Sequence, residues 1–80
     1  MGVVLDDKFY KKFSQWVNAT MKNKGLNQMD LVRRSGVSRS QVGRILRGES
    51  EGMTLRVLCQ IVGTLGYKVS IDINKNEVVL

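Results

Sequence analysis

Residues 25–48, GLNQMDLVRRSGVSRSQVGRILRG, hold two short amphipathic segments set between glycines. Isolated helices below roughly 12–15 residues are marginal in water, so neither segment can stand alone. Each nevertheless carries its own start and stop signals. Asn27 offers an N-cap, with Asp30 in the acidic first turn that favours a helix start. The helix this predicts, from 28 to about 34, buries Leu31 and Val32 and turns Arg33 and Arg34 outward. Ser35, Gly36 and Val37 end it. Ser38 and Gln41 then form a capping box, the Ser38 hydroxyl accepting from the Gln41 amide and the Gln41 side chain reaching back. Val42, Ile45 and Leu46 mark the buried side of a helix over 38–47, and Gly48 closes it. Two such helices fold only if a third element packs them together.

The flanks supply that element. Proline is absent, so only glycine, polar caps and changes of period divide the chain. Phe9, Phe13, Trp16, Val17, Thr20 and Met21 make one helical stripe, with Asp6 or Asp7 to cap its start and Gly25 to follow its end. Beyond a polar loop at 49–52, Thr54 caps a fourth helix and Met53 is placed to staple onto Leu58. Leu55, Leu58, Cys59, Val62 and Leu65 line its expected inner face, widened by Val57 and Ile61, and Cys59 reads as a small core residue. After Gly66 the period switches to alternation. Tyr67, Val69, Ile71 and Ile73 point one way and Lys68, Ser70 and Asp72 the other, which predicts a strand. Asn74, Lys75 and Asn76 form a turn, after which 77–80 can return as a second strand. An isolated strand or hairpin is unstable in water, so this segment needs a partner.

The chain has 80 residues, enough for one domain with a thin core. Its single cysteine cannot form an internal disulfide. With no histidine, a Cys/His zinc site and a His-dependent nucleophile are excluded within one chain. No enzyme, metal or cofactor is expected. No apolar run is long enough to span a bilayer and the start lacks a signal-peptide pattern, so no membrane role and a cytoplasmic location are expected. The net charge is +6, and Lys22, Lys24, Arg33, Arg34, Arg39, Arg44, Arg47 and Arg56 face only Asp30, Glu49 and Glu51 in the central stretch. A positive field concentrated in this way suits a polyanion.

The run from Gln28 through Gly36 to Gly48 resembles the helix-turn-helix of the Cro/Xre-type repressors. The resemblance covers residues 7–66 and implies a mainly α, four- to five-helix, lambda-repressor-like DNA-binding domain over 1–66. The segment 67–80 would then be a dimerisation element. The helix over 38–47 would be the recognition helix, with Arg39, Ser40 and Arg44 on base edges. An arginine fork suits guanine because it reaches O6 and N7 together. Gln41 stays open between a cap and a base contact. Gln28, Arg47, Arg33 and Arg34 would touch phosphates. Val32 and Ser35 depart from the family pattern, and so does Gly43, a helix-interior glycine that costs about 1 kcal/mol relative to alanine. Either Gly43 admits DNA or a partner closely, or it is a tolerated surface glycine.

A helix followed by LGYKVSIDI further resembles the type II antitoxin repressors of the HipB and HigA kind. That resemblance implies a homodimer in which Tyr67, Val69, Ile71 and Ile73 form an intermolecular sheet. A hairpin within one chain competes with it. The function these readings imply is a sequence-specific repressor of double-stranded DNA, acting as a homodimer on a palindromic operator. The alternative is an antitoxin that also binds a toxin protein. A third reading, a protein-interaction module, sits poorly with Arg39 and Arg44 on the projecting helix.

Overall fold

The computed structural model describes residues 7–72 and 77–79. Four helices are present among them: α1 (Asp7–Lys24), α2 (Gln28–Ser35), α3 (Arg39–Leu46) and α4 (Leu55–Thr64). The expected stripe of α1 is its inner face. Phe13, Val17, Thr20 and Met21 are buried, with Phe9 and Trp16 packed half-buried beside them.

Local hydrogen bonds set the ends of α2 and α3. Asn27 Oδ1 accepts from the Asp30 amide at 2.8 Å, and Asp30 Oδ2 accepts from the Asn27 amide at 3.0 Å. Two of the helix's orphan donors are thereby satisfied. Gly36 ends α2 at φ 75°, a conformation that a side chain would strain. The Ser35 hydroxyl accepts from the Val37 amide at 3.1 Å, so this departure from the family pattern caps the turn. Ser38 Oγ accepts from the Gln41 amide at 3.2 Å. The return half of that capping box is not made: the buried Gln41 side chain donates to the Glu51 carbonyl at 2.9 Å instead.

Packing holds these eight-residue helices in place. Leu31 of α2 and Val42 of α3 are fully buried, and Ile45 is 1% exposed. They meet Leu58, Ile61 and Val62 from α4, Leu65 at its C-cap, and Phe13, Val17 and Met21 from α1. Each such side chain contributes about 1.5–3 kcal/mol on burial, which outweighs the poor intrinsic stability of a two-turn helix. α3 packs on α1 and α2, and α2 packs on α4.

The inner face of α4 differs from expectation. Cys59 is exposed and Leu55 is 49% exposed. The buried residues Leu58, Ile61, Val62 and Leu65 fall at i, i+3, i+4 and i+7. At 100° per residue, Leu55 lies about 70° and Cys59 about 110° from the centre of that face. The helix is turned toward Ile61, which carries Cys59 out of the core. After α4, the backbone of Ser70–Asp72 (β1) runs antiparallel to Glu77–Val79 (β2), with Ile71 opposite Val78. Ile73, included in the expected strand, lies outside the described residues, as does Asp6, one of the two candidate caps of α1.

Candidate nucleic-acid interface

With Val42 and Ile45 fixed inward, the opposite side of α3 must face solvent. Arg39, Ser40, Gly43, Arg44 and Arg47 fall within an arc of about 140° on that side. Arg39, Ser40 and Arg47 are exposed and Arg44 is half-buried. Among the described residues the ion pairs are Arg33 to Asp30 at 2.7 Å and Arg47 to Glu49 at 2.6 Å. Arg34, Arg39, Arg44 and Arg56 take part in neither. The two arginines expected on base edges therefore project uncompensated from one helix face.

The expected phosphate contacts divide into two groups. Gln28 and Arg47 come together although they lie on different helices. An atom placed at the Cβ position of Gly43 would sit 3.5 Å from Gln28 Nε2 and 3.1 Å from Arg47 Nη1. Arg33 and Arg34 occupy the last turn of α2, more than a turn from Gln28, and Arg33 is tied to the acid on its own helix. That acid is itself perturbed. The Asn27 backbone amide, and then the Arg33 guanidinium, hold the Asp30 carboxyl below its ordinary pKa. Gln41 does not lie on the outward arc. Its amide anchors the 49–52 loop against the start of α3.

The C-terminal end of α3 is braced by residues for which no role is evident in the sequence. Ser14 Oγ donates to the Leu46 carbonyl at 2.8 Å, and Asn18 Nδ2 donates to the same oxygen at 3.1 Å. Gly48 lies against α1, where its Cβ position is 3.6 Å from Lys11 Cα and 3.7 Å from Ser14 Cβ. The partners are some thirty residues apart, so no local spacing signals them.

Of the residues expected to dimerise, Tyr67 and Val69 are partly covered within the chain. The Tyr67 ring meets Trp16 edge-on at 5.3 Å, and Lys24 Nζ lies 5.9 Å from the Tyr67 ring centroid. Val69 packs against the helical core.

Two short capped helices joined by a left-handed glycine, the second projecting arginines from a braced scaffold, define a helix-turn-helix domain of the DNA-binding class. The chain matches the family described as "Helix-turn-helix domain" over residues 11–74 and belongs to that family. The match runs past α4 into the segment that follows it. No curated protein and no solved structure matches the chain. None of the helices described is long and apolar enough to cross a membrane.

Proposed function

We propose that this protein is a sequence-specific regulator of double-stranded DNA that represses transcription as a homodimer on a palindromic operator. The observation that carries the reading is the outward face of α3, where, among the described residues, Arg39 and Arg44 take part in no ion pair and stand beside the exposed Ser40. Such a helix fits a major groove, and a free arginine fork at its start can take guanine O6 and N7 together. Two copies related by a twofold axis would place half-sites about 34 Å apart on one face of the duplex.

Selection of bound sequences from a random duplex pool tests the reading. A palindrome should emerge. Arg39→Ala or Arg44→Ala should each cost about 1–3 kcal/mol and relax discrimination at one base pair. Affinity should fall steeply as salt rises. Binding that is equal for all sequences, or absent at low salt, overturns the proposal. Dimerisation is assigned to the segment 67–80 through Tyr67, Val69, Ile71 and Ile73, in competition with the pairing of Ser70–Asp72 and Glu77–Val79 inside one chain. Removing 67–80 should give monomers with weak operator binding; a truncation that remains dimeric places the contact in the helices. The antitoxin role would add a toxin protein to the partners without removing DNA. Co-expression with the product of the neighbouring gene, followed by a pull-down, separates the two.

A further inference from the structure

We propose that Gly43 is a positioning residue: its missing side chain is the space in which two donors from different helices form one seat for a DNA phosphate. The inference rests on the DNA-binding reading and deepens it. Gly43 lies on the solvent side of α3, yet it is buried. A side chain there would meet the Arg47 guanidinium, with Nη1 3.1 Å and Cζ 3.9 Å from the Cβ position, and Gln28 Nε2 at 3.5 Å. The guanidinium is held from its other edge, where Arg47 Nε donates to Glu49 Oε2 at 2.6 Å. Its Nη1 and the Gln28 amide nitrogen both lie within 3.5 Å of the Gly43 Cβ position.

A phosphodiester oxygen arriving over Gly43 would accept from the N-terminal end of α2 and the C-terminal end of α3 at once. Such a contact fixes how α3 lies on the duplex without reading a base. Glycine in a helix interior is less stable than alanine, and the helical backbone at Gly43 would accept alanine without strain. The glycine therefore carries a stability cost that the seat accounts for. A Cβ would press on Nη1 at a distance tighter than ordinary van der Waals contact and spread the two donors.

Gly43→Ala separates this role from a structural one, because stability and binding should move in opposite directions. The unfolding midpoint should rise by a few degrees. Affinity should fall on the order of fivefold, the scale of one lost hydrogen bond, equally on a selected operator and on unrelated duplex. In an Arg47→Ala background the same change should cost less than about twofold, since the group it displaces is gone. Gln28→Ala and Arg47→Ala should likewise be non-additive. A Gly43→Ala protein that binds as tightly as the parent overturns the proposal, as does a loss that persists in full without Arg47, or additive effects of the Gln28 and Arg47 changes. A parent protein that binds no duplex overturns the DNA-binding reading and this inference together. A parent that binds while Gly43→Ala is undiminished overturns this inference alone.

Discussion

Ser14 and Asn18 share one acceptor, the Leu46 carbonyl, but their replacement by alanine should have different consequences. Ser14 is 7% exposed and its hydroxyl reaches the carbonyl from inside, at 2.8 Å. Asn18 is exposed and reaches it from outside, at 3.1 Å. Ser14→Ala removes a hydrogen bond where water does not readily replace it, at a cost of about 1–1.5 kcal/mol. Alanine returns about 0.5 kcal/mol of helix propensity, leaving a net loss of roughly 0.5–1 kcal/mol. In a domain of this size that lowers the thermal midpoint by about 2–8 °C. Asn18→Ala gains similar propensity, while water re-solvates the exposed side of the carbonyl, so its midpoint should hold or rise. Thermal melts followed by far-ultraviolet circular dichroism, with urea titrations in parallel, measure both. If Asn18→Ala proves as costly as Ser14→Ala, the brace on α3 does not depend on burial and the reasoning fails.

Gly52 sits at φ 71°, and a Cβ there would overlap Gln41 Oε1. Gly52→Ala should therefore cost about 2–3 kcal/mol, combining left-handed strain with the displaced Gln41 amide. Gly36→Ala, at φ 75° with nothing within 4 Å, should cost only the strain, about 1–2 kcal/mol; equal losses in urea would remove Gln41 from the account. The lowered pKa of Asp30 contributes stability that is present above the unfolded carboxyl value and lost as pH falls through the folded one. Stability should thus decline below about pH 4, and Asp30→Asn should flatten that decline in acid titrations of the melting midpoint.

The caps were legible because capping chemistry is local. Asn27 with Asp30, Ser38 with the Gln41 amide, and Thr54 with the Val57 amide all act across three residues. The stripe of α1 was legible because its lysines leave one face apolar. The inner face of α4 was not. Leu55, Val57, Leu58, Cys59, Ile61, Val62 and Leu65 spread over an arc of about 200°, and only tertiary contact selects which of them turn inward. Gln41 escaped for a related reason. Its partner is a loop carbonyl ten residues on, and nothing in a capping-box pattern announces that the side chain is needed elsewhere. In the interface, the outward arginines followed from amphipathic spacing. The meeting of Gln28 with Arg47 over Gly43 depends on how α2 crosses α3, which one helix's periodicity cannot encode.

Trp16 is the chain's only tryptophan, and it stands where the segment after α4 folds back on α1. Phe13 stacks on one side of its indole at 6.0 Å, and the Tyr67 ring meets it edge-on. The indole's emission colour therefore responds to whether Tyr67 is seated beside it or withdrawn into water. The protein carries its own optical gauge for the passage from the helices to the C-terminal segment, readable in dilution and in DNA titration without an added label.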